Sequence, residues 1–173
     1  MVEVNMGLSA TGAQIEFATL ADVPELVHIE QQCYAQPWSS DRFAQECANP
    51  CSYILMLRDQ DIVGAYLCFW HLGPEVEIHN VCCAPSQRRR GAAQNLLVYL
   101  RNWCRAQQVE QMFLEVRRGN KSAIKLYHRF GFDQCGERVG YYSNGEDALL
   151  MRCNVAEKIG DKFDEGYQDK RTV

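Results

Sequence analysis

Two side chains within residues 112–132, MFLEVRRGNKSAIKLYHRFGF, are of types that move protons. Glu115 sits between Leu114 and Val116 in a near-continuous apolar strand. A carboxylate so placed needs a partner, a proton or a task, unless the strand is an edge and Glu115 faces solvent. Twelve residues on, Tyr127 falls one turn after Ala123 and Ile124 on a helical stretch. It is either a core aromatic with its hydroxyl bonded or a proton donor. A third place is NVCCAPSQRRRGAAQNLL, where a strand ending at Cys83 passes through a basic loop, Arg88-Arg89-Arg90, into Gly91-Ala92-Ala93 at the start of a helix. Helix N-termini carry unpaired N–H groups and a positive dipole end, and small residues let the backbone approach an anion closely. The loop alone fits a phosphate cradle or a solvated basic turn.

Periodicity supplies the elements that must position these groups. QIEFATL is a short strand, and the segment ADVPELVHIEQQCY is a helix whose Asp22 and Glu25 have the spacing of a capping box. A second helix covers residues 39–48. The stretch 51–72 gives two strands joined by a tight turn at residues 59–61, and EVEIHNVCC a third. Ala93, Leu96, Leu97, Leu100 and Cys104 recur with helical spacing after the basic loop. QMFLEVR is a strand, and NKSAIKLYHRF a helix capped by Asn120 and stopped by Gly131. Two strands, near 132–139 and 147–153, complete an α/β sandwich around one mixed sheet. The expected organisation is a mobile lead-in over 1–14, one domain over 15–153 and a charged tail over 154–173.

Composition bounds the function. The 173 residues suit one domain; 47% are apolar and 23% charged, as in a soluble globular protein. The net charge of −4 argues against binding nucleic acid through phosphate neutralisation, and no aromatic residues interleave with the arginines. No apolar run of membrane-spanning length occurs, and the first residues lack the pattern of a signal peptide. Nine cysteines are scattered without a disulfide frame or zinc-site spacing. Reduced core cysteines, no metal and a cytoplasmic location are therefore expected.

Four segments, taken together and in order, carry a family resemblance. MFLEVRRGNKSAIKLYHRFGF, NVCCAPSQRRRGAAQNLL, HIEQQCYAQPW and GYYSNGEDALLM resemble the GCN5-related N-acetyltransferases (GNAT), and among them the RimI-type ribosomal-protein-alanine N-acetyltransferases. The resemblance covers about residues 15–153. It implies the GNAT fold, a mostly antiparallel mixed sheet with two splayed central strands and flanking helices. It also implies acetyl-CoA as co-substrate: Val81, Cys82 and Cys83 pair their main chain with the pantetheine arm, Arg89, Arg90, Gly91, Ala92, Ala93 and Gln94 wrap the pyrophosphate, and Asn120 touches the cofactor. By the same resemblance Glu115 is the general base and Tyr127 the general acid, while Trp38, Tyr141 and Tyr142 wall the substrate's first residue.

The implied activity is acetylation of a protein N-terminus, foremost that of a ribosomal protein beginning with alanine. Gln36, Gly140 and Ser143 depart from the residues common in the family, all in segments expected to flank the substrate. A broader Ard1-like range, a small amine or an internal lysine stay open as substrates, as does a non-catalytic acyl-CoA-binding module on the same fold. The acids Glu75, Glu77, Glu115, Glu137, Glu146 and Asp147 are expected to make the cleft attractive to a basic peptide, unless they form only a solvated rim.

Overall fold

The computed structural model describes residues 7–8, 13–60 and 62–157. Eight strands form one sheet in the order β1-β2-β3-β4-β5-β6-β8-β7. In chain order they are β1 (Gly7–Leu8), β2 (Gln14–Phe17), β3 (Ser52–Asp59), β4 (Ile62–Leu72), β5 (Glu75–Cys83), β6 (Gln111–Arg117), β7 (Asp133–Arg138) and β8 (Ala148–Asn154). Every neighbouring pair is antiparallel except β5 with β6. Helices α1 (Val23–Cys33) and α2 (Ser40–Ala48) cover one face, and α3 (Ala92–Ala106) and α4 (Lys121–Arg129) the other.

Burial on both faces explains the apolar runs of β3 and β4. Ile54, Met56, Tyr66 and Cys68 enter the core under α1 and α2, while Leu55, Leu57, Ala65, Leu67 and Phe69 enter the core under α3 and α4. A strand buried on one face alternates; these two do not need to. No helix among the described residues is long and apolar enough to cross a membrane. All nine cysteines are thiols.

Several local expectations are corrected. Asp22 does not cap α1 with its side chain. Its carboxylate closes a capping box one step earlier, accepting from the Thr19 N–H at 2.8 Å and hydroxyl at 2.9 Å, and it pairs with Arg58 at 3.0 Å. Glu25 likewise turns to Arg58, at 2.9 Å, so a long-range cation claims both acids expected to form the α1 cap. Gly7–Leu8 pairs with β2 as a short strand inside the segment expected to be a lead-in; residues 1–6 and 9–12 lie outside the described residues. At the other end the domain continues past 153. Val155 is buried, and Arg101, itself buried in α3, donates to the carbonyls of Phe130 (2.9 Å), Asn154 (3.1 Å) and Glu157. The rest of the expected tail, 158–173, lies outside the described residues.

Two features of β5 shape the site. Its register to β4 runs Cys68↔Asn80 and then Phe69↔Ile78, which leaves His79 as the extra residue of a β-bulge. Its pairing to β6 stops at Ile78↔Leu114. Beyond that point residues 79–83 and 115–117 have no ladder between them, so the two central strands open into a gap.

Candidate active site

The gap is lined from both faces of the sheet. In β6, Met112, Leu114 and Val116 enter the α3/α4 core, so Glu115 points to the α1/α2 face. It does not sit on an edge strand, nor is it buried: its side chain keeps 32% of its exposure because β5 has turned away. Its Oε1 pairs with Nη1 of Arg138, at the end of β7, at 3.1 Å. Tyr127 projects from α4 into the opposite core and is 7% exposed. Burial raises its phenol pKa, helped by the nearby Cys83 and Tyr142. Tyr142 also interacts electrostatically with Glu115, so it lies near both candidate proton carriers.

The edge of β5 that faces the gap offers main-chain acceptors. The Val81 carbonyl accepts from the Tyr34 hydroxyl at 2.9 Å, and the Cys83 carbonyl from the Cys33 thiol at 3.1 Å and from Arg88 Nε at 3.3 Å. Cys82 turns away into the α1/α2 core. Burial pushes the Cys83 thiol up to about 11, against the opposing effects of the Ala93 N–H and Arg88. It stays a thiol at neutral pH, and thiols are poor nucleophiles.

At the head of the gap a 3-10 turn, Pro85–Gln87, leads into the basic loop. Arg89 has φ +62°, and Gly91, just before α3, has φ +84°. A Cβ on Gly91 would meet nothing within 4 Å. The conformation therefore selects glycine, and the space beside it is open to a ligand. Arg90 lines a groove of about 390 Å³ on the β3 side of the α3 N-terminus, together with Leu57, Asp59, Gln87, Ala92 and Asn95. Asn120 caps α4 as expected, its Oδ1 accepting from the Ala123 N–H at 3.2 Å.

The aromatic residues divide. Tyr141 is 49% exposed, with its ring 5.2 Å from that of Tyr142. Arginines cover both, Arg138 over Tyr141 at 5.1 Å and Arg117 over Tyr142 at 3.6 Å. Trp38, by contrast, is half-buried on Phe43, with ring centroids 5.4 Å apart, and its backbone N–H donates to Glu30 Oε1 at 3.2 Å.

Glu30 was not anticipated. It is 1% exposed and accepts from Trp38, from Asn80 Nδ2 at 3.2 Å and from the Tyr66 hydroxyl. Asn80 also donates to the Tyr66 oxygen at 2.7 Å. This network ties α1, the turn at Trp38, β4 and the bulge of β5 into one unit. The signal for it is present in the sequence: Glu30 follows Val23 and Leu26 on the apolar stripe of α1.

The acids expected around the cleft are partly paired. Arg118 pairs with Glu137 and, at 3.0 Å, with Asp147; Arg117 pairs with Glu146 at 3.1 Å, and Arg138 holds Glu115. Three arginines, from β6, β7 and the turn after β6, thus pair with four of the six acids and offset about half of the expected negative charge.

Comparison with known proteins accords with this geometry. The acetyltransferase (GNAT) family model matches residues 23–132. The [ribosomal protein bS18]-alanine N-acetyltransferase of Escherichia coli strain K12 is 31% identical over 139 residues, 78% of this chain and 93% of the relative. The N-alpha-acetyltransferase RimI of Mycobacterium tuberculosis is 32% identical over 141 residues, 78% of this chain and 87% of the relative. The crystal structure of the Escherichia coli ribosomal-protein-S18-alanine N-acetyltransferase superposes with a TM-score of 0.79 at 28% identity, covering 86% of this chain and 97% of that one. The splayed sheet, the left-handed glycine opening α3 and these relatives lead to one conclusion: the chain belongs to the GNAT family of acetyl-CoA-dependent N-acetyltransferases.

Proposed function

We propose that this protein acetylates the α-amine of a protein N-terminus, with a ribosomal protein beginning with alanine as its first substrate. The observation that carries the chemistry is the placement of Glu115 and Tyr127 on opposite faces of the unpaired gap between β5 and β6. The choice of substrate rests on the relatives, which are named for acetylating the alanine of ribosomal protein bS18.

The residues present fit acetyl-CoA. The open space at Gly91 and the first N–H groups of α3 suit a diphosphate, with Arg89 and Gln94 beside them. Arg90, turned to the β3 groove, adds charge to the loop from farther round. The main chain of residues 81–83 suits the amide-rich pantetheine arm. There the hydroxyl of Tyr34 and the thiol of Cys33 share or yield the Val81 and Cys83 carbonyls, each of which has two lone pairs. Asn120 lies at the α4 start, where the cap uses only Oδ1. Acetyl-CoA supplies the acetyl thioester when bound, and the chain's own groups move the protons.

An α-amine has a pKa of about 8 and is mostly protonated at neutral pH, so it must lose a proton to become a nucleophile. Glu115, exposed and held by a single arginine, takes that proton directly or through a water. Tyr127, kept protonated by its burial, presents its O–H to the leaving sulfur. Tyr141 and Tyr142 wall the substrate's first residue. Trp38, seated on Phe43, is assigned to the same wall from the α1/α2 side. The raised pKa of the Cys83 thiol argues against its serving as an acyl carrier, so the proposed route is direct transfer to the amine.

Mass spectrometry of three peptides tests the assignment: a free alanine N-terminus, the same peptide pre-acetylated, and one offering only a lysine side chain. Transfer to the first alone is the expected result. Equal transfer to the lysine peptide refutes α-amine specificity, and binding of acetyl-CoA without transfer to any amine supports a non-catalytic module.

A further inference from the structure

The extra residue of the β5 bulge, His79, belongs neither to the cofactor cradle nor to the Glu115–Tyr127 pair. A bulge turns two consecutive side chains to one face, and here both His79 and Asn80 lie on the α1/α2 face. Asn80 bonds Glu30, while the His79 ring packs on Trp70 with centroids 4.4 Å apart. Ile78↔Leu114 is the last β5–β6 pair, so His79 and Glu115 are the next residues of two parallel strands. They share a face, no strand separates them, and they interact electrostatically. The His79 side chain keeps 27% of its exposure, and its Nε2 is 3.6 Å from Glu77 Oε2.

We propose that His79 is a proton-relay residue acting through Glu115: it accepts the proton that leaves the substrate amine and passes it to solvent. The relay rests on the proposed acetyl transfer to an α-amine. In the first step an N–H bond of the substrate ammonium breaks and the proton joins the Glu115 carboxylate, leaving the electron pair on nitrogen. In the second the carboxylic O–H breaks and its proton joins a bridging water, which gives up one of its own protons to a ring nitrogen of His79. The imidazolium then releases it to water, so one proton crosses from substrate to solvent and both residues return to their starting states.

The order of proton affinities favours such a relay. Reference values are about 8 for an α-amine, about 4.3 for a glutamate and about 6.5 for an imidazole. A proton on a glutamate side chain therefore returns readily to the amine unless a better acceptor stands beside it. Burial lowers the His79 pKa, and Arg42 of α2 adds to that; Glu77 of the same strand, Glu46 of α2 and Glu115 of β6 oppose it. The ring is thus neutral near pH 7 and ready to accept.

His79→Phe keeps a ring on Trp70 and removes both nitrogens. With the alanine-N-terminal peptide it is expected to lower kcat on the order of 10-fold at pH 7, with KM for acetyl-CoA unchanged and one ionisation lost from the acid limb of the pH profile. Separately, NMR titration of His79 is expected to show a pKa below 6.5 in the wild type. In Glu115→Gln it should fall further, because a neighbouring negative charge is gone. Wild-type kcat and pH profile in His79→Phe overturn the relay, and so does a His79 titration indifferent to Glu115→Gln. If the wild type acetylates no amine, the proposed function fails instead, a result distinct from either of these.

Discussion

Glu30 and Glu115 are two carboxylates on the same face of the sheet, and they live under opposite conditions. Glu30 is sealed, its oxygens shared among Trp38, Asn80 and Tyr66. Glu115 is part-exposed and held by one arginine. A buried carboxylate whose lone pairs are all taken can hold structure in place but has nowhere to put a proton. Proton work needs a lone pair within reach of the substrate and a route to water. Burial alone therefore misleads as a guide to function here, because the more buried acid serves as scaffold and the more open one is the proposed base.

That contrast can be broken in several ways. The largest expected effect is on rate: Glu115→Gln and Tyr127→Phe should each slow transfer on the order of 10²–10⁴-fold in steady-state assays, with acetyl-CoA affinity little changed. Glu30→Ala should act on stability instead. It strips the buried Tyr66 hydroxyl and the part-buried Trp38 N–H and Asn80 amide of an acceptor, and urea denaturation is expected to show a loss of roughly 2–4 kcal/mol. Gly91→Val should cost roughly 1–2 kcal/mol for placing a β-branched residue at φ +84°, and calorimetry should show acetyl-CoA binding weakened more than that folding loss explains. Arg138→Ala removes the cation paired with Glu115, and a change in rate of only about 3-fold is expected, since a partly exposed ion pair contributes little. The smallest effect is on pH-dependent stability. His79 has a folded pKa below its unfolded value, so the unfolded chain binds more protons between the two. Stability attributable to His79 should be whole above about pH 6.5 and decline as pH falls below it, a slope that His79→Phe removes in denaturation series.

The element order was legible because its signals are local. Gly91 before a helical stripe, Asn120 at a helix start and Gly131 past a helix end all appear where the spacing predicted. What escaped the sequence depends on residues far apart in the chain. Arg58 draws Asp22 and Glu25 away from the α1 cap, over more than thirty positions. The bulge at His79 exists only in the register of β5 against β4. Glu115 looked buried because its neighbours are apolar, and only the end of the β5–β6 ladder exposes it. The pairing of the cleft acids was hidden for the same reason: folding of β6, β7 and β8 brings Arg117, Arg118 and Arg138 onto four of the six.

The most direct test measures rate and stability together on Glu115→Gln and Glu30→Gln, using single-turnover transfer to a peptide with a free alanine N-terminus and urea denaturation of the same samples. The account predicts that Glu115→Gln unfolds like the wild type and transfers on the order of 10²–10⁴-fold more slowly, while Glu30→Gln loses stability and keeps the larger part of its rate. Wild-type transfer by a folded Glu115→Gln protein, with the rate lost in Glu30→Gln instead, would contradict it.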